Sequence, residues 1–382
     1  MLFTRLGFTA FGGPAAHVAL MEDEVVERRR WMDRGHFLDA VAAVNFVPGP
    51  NSTELAIHVG QLRAGFAGLV VAGVCFITPA VLIILPIAWA YVTYGALPQV
   101  QPALRTIGAA IVAVVAVATV RFARAAVRDA FTVTLCAACA VGAVLLMRFT
   151  PLQPEVLVLA FAAAAGALWY AKPRAAGART LALVPASWLG LVSLDPGPFA
   201  RMALFFLKVG ATLFGSGYVL VSYLQSALVD DYAWLTQRQL LDAVAVGQFT
   251  PGPLLTTATF IGFVLGHSRF GGGAAGGLVG AVVATVSIFL PSFLFVAVFG
   301  PMLQRVRRNP LARGALDGMN AAVVGLMIVI TLRLAGAALL KESRQIDWLN
   351  LAVLLASAVA LLRWKVNATW IVLAAAVVGL LL

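Results

Sequence analysis

The stretch Pro48-Gly49-Pro50-Asn51-Ser52-Thr53-Glu54 interrupts an apolar run of roughly 37–62, and Pro251-Gly252-Pro253-Leu254-Leu255-Thr256-Thr257 interrupts another of roughly 240–266. Proline removes a backbone donor and its ring clashes with the preceding turn. Two prolines around a glycine must therefore break a helix. Irregular backbone at membrane depth survives only where it is buried in protein or lines a wet cavity. Each broken segment is expected to be a re-entrant pair of half-helices rather than a full crossing.

The two breaks belong to two copies of one unit. Shifting the chain against itself by 203 positions places Leu38-Asp39-Ala40-Val41-Ala42 on Leu241-Asp242-Ala243-Val244-Ala245, Trp31 on Trp234 and Phe46 on Phe249. Gly7, Thr9, Phe11 and Gly12 fall on Gly210, Thr212, Phe214 and Gly215, and Arg5 falls on Lys208. After a nine-residue insertion around His267–Gly273 the shift becomes 212, and Gly65, Gly68, Pro79, Thr119 and Arg121 meet Gly277, Gly280, Pro291, Thr331 and Arg333. Apolar matches between membrane helices are cheap, but matches of Trp, Asp, Arg and Pro-Gly-Pro are not. The expected organisation is a first transporter repeat over 1–172, a linker over 173–198 and a second transporter repeat over 199–382.

Composition sets the solvent. With 62% hydrophobic and 11% charged residues, the chain has too few charges to cover a water-facing surface, and apolar stretches of spanning length run from end to end. The net charge of +11 sits mostly in short gaps between apolar runs. That is the positive-inside bias, so nucleic acid is not the expected partner. Cys75, Cys136 and Cys139 lie in apolar runs, and the C-x-x-C spacing of the last two reads as helix packing rather than redox chemistry. The N-terminus shows no cleavable signal pattern.

The charges also set the topology. Arg121, Arg124 and Arg128 occupy one gap, Arg305, Arg307, Arg308 and Arg313 another, and Arg363 and Lys365 the last, whereas 95–102 carries none. Placing the basic gaps in the cytoplasm works only if the broken segment of each half does not cross. Each half then has about five transmembrane helices, and an odd number turns the second copy upside down. The fold expected is an all-α polytopic membrane protein of two inverted repeats, the plan of secondary transporters. One gap disagrees: Arg333, Lys341 and Arg344 fall outside, partly offset by Glu342 and Asp347.

In that plan the site lies where broken helices expose their ends. The chain has four matched breaks: Phe11-Gly12-Gly13-Pro14, Pro48-Gly49-Pro50, Phe214-Gly215-Ser216-Gly217 and Pro251-Gly252-Pro253. Asn51, Ser52 and Thr53 are capping types, Glu54 favours a helix start, and a helix N-terminus is an anion site. The second copy keeps the hydroxyls of Thr256 and Thr257 but has no counterpart of Asn51 or Glu54. The plainer reading of a single break is a hinge or a close helix crossing; four matched breaks followed by hydroxyls favour a site. Lys208 and Arg5 are candidate anion contacts, with snorkelling as the alternative for Arg5. Glu54, His58, Asp39 and Asp242 are candidate proton carriers, with His17 a further one; the two aspartates fit a surface charge or a helix cap equally well, and a lone histidine is more often simply hydrogen-bonded. No Walker A pattern, metal-ligand cluster or nucleophile elbow is present in the sequence, so the expectation is a gradient-driven transporter or channel without cofactor, not an enzyme.

The motifs at 11–14, 48–54, 214–218 and 251–253 resemble the chromate ion transporter family in its long, two-domain form, over nearly the whole chain. The resemblance implies multi-pass insertion in the inner membrane and chromate export driven by the proton-motive force, giving chromate resistance, with sulfate as a similar oxyanion. It implies that the 11–14 turn and the 48–54 motif carry the transport path. A passive oxyanion channel and an uptake transporter are the alternatives, and both a monomer and a homodimer stay open.

Overall fold

The computed structural model describes residues 1–10, 14–149, 154–170, 197–215, 217–302, 306, 309–340 and 345–381. Nearly all of the expected linker lies outside them, as do Gly12, Gly13, Ser216, Lys341, Glu342 and Arg344. The first half comprises α1 (Leu2–Thr9), α2 (Pro14–Glu22) with a π-helical continuation (Asp23–Arg28), α3 (Arg34–Val44), α4 (Asn51–Tyr94), α5 (Gln101–Ala126), α6 (Ala130–Phe149) and α7 (Pro154–Tyr170). The second comprises α8 (Pro198–Thr212), α9 (Val219–Leu224) with π-turns (Gln225–Asp231), α10 (Gln237–Phe249), a 3-10 turn (Leu254–Thr256), α11 (Thr257–Val264) with π-turns (Leu265–Arg269), α12 (Gly273–Phe299), α13 (Pro310–Leu339), α14 (Trp348–Arg363) and α15 (Ala368–Leu380). The only β-pairing among the described residues is a single bridge, Leu340 to Ile346.

Five helices are long and apolar enough to cross a membrane: α4, α5, the Ala130–Met147 part of α6, α12 and α13. At about 1.5 Å per residue, the 27 residues of α12 exceed the roughly 30 Å hydrocarbon core. Phe66, Phe161, Leu168, Leu332 and Trp370 are exposed, while Phe206, Tyr223, Phe260, Ile111 and Met327 fill one buried cluster drawn from both halves. Large side chains on the outside of an apolar bundle belong in lipid. The chain is an all-α, multi-pass membrane protein.

The long helix α4 is a hairpin. Ala64 (φ −145°, ψ 28°) and Gly65 (φ 60°, ψ −146°) reverse the chain, where the sequence separates the apolar runs 37–62 and 65–94. The two arms touch through Gly60, whose neighbours are Gly68 and Ala72. In the second half α11 folds back on α12, with Gly262 against Gly280 and Ala284 and Gly266 against Gly276. Small residues are what allow backbones to approach this closely.

Positions paired by the repeat make matching contacts. Gly7 lies against the Phe76 carbonyl and Pro79, and Gly210 against the Ile288 carbonyl and Pro291. Asp33 caps α3 by accepting from His36 N at 2.9 Å, and Thr236 caps α10 by accepting from Gln239 N at 3.1 Å. Arg30 and Ala233, a repeat pair, both have positive φ, at 50° and 47°. The hydroxyls of Thr119 and Thr331 meet at 3.3 Å. The out-of-place Arg333 has a partner, as Nη1 donates to Asp230 Oδ2 at 2.5 Å. Its repeat mate Arg121 instead donates to the Leu361 carbonyl at 2.8 Å.

Candidate functional site

The breaks meet across the two halves. The Gly49 amide donates to the Leu213 carbonyl at 2.7 Å, and the Gly252 amide donates to the Ala10 carbonyl at 3.2 Å. Each Pro-Gly-Pro thus ties its glycine to the end of the other half's first helix, at α8 and α1. The exchange is reciprocal: Gly49 pairs with Gly252 and Ala10 with Leu213 at the same 203-residue shift. Gly217 lies beside Leu254, bringing the third break against the fourth. Gly215, at φ 84°, sits against Asn320, Val323 and Phe122. Pro14 opens α2.

The helix start at Asn51 differs in detail from the sequence expectation. Pro50 is the N-cap, without a side-chain cap, and Asn51 is the first helical residue. Its Nδ2 donates to Asn45 Oδ1 at 2.6 Å, tying the ends of the loop together. The amides of Thr53 and Glu54 both return to the Pro50 carbonyl. Those of Asn51 and Ser52, in the first turn of the helix, have no earlier turn to bond. Ser52, Thr53 and Glu54 are all buried, and Thr53 Oγ1 and Glu54 Oε2 lack hydrogen-bond partners among the described residues. Glu54 Oε1 accepts from Ser292 Oγ of α12 at 3.3 Å, a contact between halves.

The second copy is chemically different. Thr256 Oγ1 donates to the Pro253 carbonyl at 2.7 Å, and Thr257 Oγ1 to the Leu254 carbonyl at 2.8 Å. Both hydroxyl protons are spent on backbone, whereas that of Thr53 is not. Ala80, the repeat position of Ser292, lies against Gly252. The polar half-site is therefore the first one. Ser292 was not singled out in the sequence; comparing it with Ala80 is the signal that finds it.

The candidate charges fall into separate places. Arg5 is exposed and ion-pairs with the buried Glu24, to which Arg28 and Arg29 also contribute. Lys208, half-buried on α8, lies within the electrostatic reach of Glu155 and Asp231. Glu155, which the sequence did not single out, is wholly buried at the start of α7 and accepts from Ser222 Oγ at 3.0 Å. Asp242 is buried on α10 and accepts from the Tyr91 hydroxyl at 2.8 Å. Its repeat mate Asp39 is half-exposed. His58 lies at 3.4 Å from Gln61 Oε1, and His17 at 2.9 Å from the Ala10 carbonyl. The breaks thus gather Glu54 and His17, while Asp39, Asp242, Arg5 and Lys208 lie apart from them.

The chromate transporter family model matches residues 1–167 and 200–380, in two parts that coincide with the two halves. A chromate transport protein of Cupriavidus metallidurans is 32% identical over 100% of this chain and 91% of its own length. One of Pseudomonas aeruginosa is 30% identical over 99% of this chain and 90% of its own. An uncharacterized transporter of Bacillus subtilis is 23% identical over 44% of this chain but 86% of its own length, and so is about the size of one half. No solved structure matches. With two-part coverage from end to end and full-length relatives at this identity, the chain belongs to the chromate transporter family.

Proposed function

We propose that the chain is a secondary active transporter that exports chromate, or a closely similar tetrahedral oxyanion such as sulfate, across the inner membrane with coupling to protons. The observation that carries this reading is the polar half-site at the first Pro-Gly-Pro. The first-turn amides of Asn51 and Ser52, the uncommitted Thr53 hydroxyl and the Glu54 carboxyl lie within four consecutive residues there, on a loop held by the opposite half. Amides and a hydroxyl at a helix N-terminus suit an oxyanion, and a buried carboxyl at the boundary between halves suits a proton. The reciprocal Gly49 and Gly252 bonds supply an interface about which one repeat can rock against the other. The relatives named as chromate transport proteins agree with the anion.

The test is chromate flux in proteoliposomes and inside-out vesicles. A proton gradient should accelerate it and an uncoupler abolish the acceleration; flux that follows the anion gradient alone marks a passive channel. Asn51→Ala, which removes the tie to Asn45 at the helix start, should lower flux about fivefold, the scale of one neutral hydrogen bond, while the folded protein is retained. A wild-type rate removes Asn51 from the path. Glu54→Gln should keep chromate flux measurable while removing its response to the proton gradient.

A further inference from the structure

Glu155 is a buried carboxyl that the polar half-site at the first Pro-Gly-Pro does not use. It is the second residue of α7 and wholly buried. Oε1 accepts from Ser222 Oγ of α9 at 3.0 Å, and Oε2 has no hydrogen-bond partner among the described residues. Glu155 makes no ion pair among them either. A carboxylate held away from water without a paired cation is costly, and taking up a proton relieves the cost. The neighbouring hydroxyls of Ser222 and Ser226 suit both forms, because a hydroxyl can donate to a carboxylate and accept from a carboxylic acid. The half-buried Lys208 acts on Glu155 from α8, and on Asp231, which is exposed in the turn before α10. The first half is built differently at this place. There Arg5 pairs with Glu24, joined by Arg28 and Arg29. At the 203-residue shift Arg5 becomes Lys208, Glu24 becomes Ala227 and Arg28 becomes Asp231. The carboxyl that the second π-turn lacks comes instead from α7 of the first half, and an arginine that stays charged is replaced by a lysine that can lose its proton.

We propose that Glu155 is a second proton site of the transport cycle, loaded from the outer face past Asp231 and tuned by Lys208. It rests on the reading of the protein as a proton-coupled transporter, in which the basic gaps put the turn before α10 outside. A proton from outer water binds Glu155 Oε2, the carboxylate becomes a neutral acid, and Lys208 loses its counter-charge; release reverses these changes. They occur one helical turn from the breaks. The Lys208 carbonyl accepts from Thr212 Oγ1 at 2.8 Å, and the Tyr223 hydroxyl donates to the Thr212 carbonyl at 3.2 Å. The next residue, Leu213, receives the Gly49 amide. The other charges described on the helices against α7 lie away from Glu155. Asp129 and Asp317, with Arg128 and Arg313 beside them, sit towards the far end of α7, where Tyr170 donates to Asp129 at 2.6 Å and Gly166 meets Gly314 and Gly318. Arg333 of α13 is held by Asp230.

The experiment is chromate flux into inside-out vesicles, with the pH of the lumen, which bathes the outer face, set separately from that of the bath. Wild type, Glu155→Gln, Lys208→Gln and Lys208→Arg are compared per amount of folded protein. The wild-type rate should fall as lumenal pH rises, by up to about tenfold per unit, the limit for one obligatory proton. In Glu155→Gln the rate should change less than about twofold over the same lumenal range and still respond to bath pH. Lys208→Gln removes a neighbouring cation and should move the lumenal midpoint to higher pH by about one unit, and Lys208→Arg should return it towards wild type. A wild-type lumenal response in Glu155→Gln overturns the proposal. So does an unmoved midpoint in Lys208→Gln, the result given by a carboxyl that stays protonated and only ties α7 to α9; this arm decides alone if Glu155→Gln does not fold. A wild type whose flux ignores pH on both faces overturns proton coupling altogether.

Discussion

At Gly49 the chemistry of one residue holds the breaks together. Its φ of 140° lies outside the region open to L side chains, and a Cβ there would meet the Glu54 carboxylate and the Ser292 hydroxyl. Gly49→Ala should destabilise the protein by about 2–4 kcal/mol, from backbone strain and overpacking. Gly65→Ala, at φ 60° and ψ −146° with open space around it, carries the strain alone and should cost about 1–3 kcal/mol. Thermal unfolding in detergent compares the two; equal shifts would mean that the Gly49 loop is not packed on α12. The proline and glycine identities made this break legible in the sequence, because their backbone rules are local. The role of Asn51 was not legible. A capping residue and a loop tie look alike in sequence, and only the nearness of Asn45 tells them apart.

The half-helix hairpins depend on glycine contacts between their arms. In α4 Gly60 faces Gly68 and Ala72, and Gly262 on α11 faces Gly280 and Ala284 on α12. Lipid tails are as apolar as leucine, so association of the arms rests on close van der Waals packing rather than on exclusion of water. A valine at either position forces the arms apart. Gly60→Val and Gly262→Val should each cost about 2–4 kcal/mol, the scale of severe overpacking, whereas Gly142→Val on α6, with nothing within 4 Å of its Cβ, should change stability little. Comparable losses in the two halves would show that both hairpins are held in the same way; a neutral Gly262→Val would sink that equivalence. The sequence shift of 203 pairs Gly60 with Phe263 rather than Gly262. One residue of register therefore differs between the copies after Pro-Gly-Pro, where the second starts with a 3-10 turn over Leu254–Thr256. A gapless comparison of sequences passes over such a slip, because apolar residues on both sides tolerate it.

For the whole molecule, orientation follows from the number of crossings in each half. If α3 enters at its capped start and the chain returns to the same face after Pro48-Gly49-Pro50, the first half crosses an odd number of times, and every repeat-related pair of positions ends on opposite faces. The basic gaps agree with this, and the ion pair of Arg333 with Asp230 gives the outlying arginine a reason other than topology. The exposed turns before α3 and α10 provide a direct test, since Arg30 and Ala233 are repeat mates with nearly the same positive φ. Arg30→Cys and Ala233→Cys should react with a membrane-impermeant maleimide from opposite faces: Arg30→Cys in inside-out vesicles and Ala233→Cys in right-side-out ones. Cys136 and Cys139 are buried and Cys75 is only partly exposed, so background labelling is measured on the parent protein. Labelling of both positions from one face would make the copies parallel rather than inverted. The reciprocal Gly49 and Gly252 bonds would then need an axis along the membrane normal, as in parallel-repeat transporters.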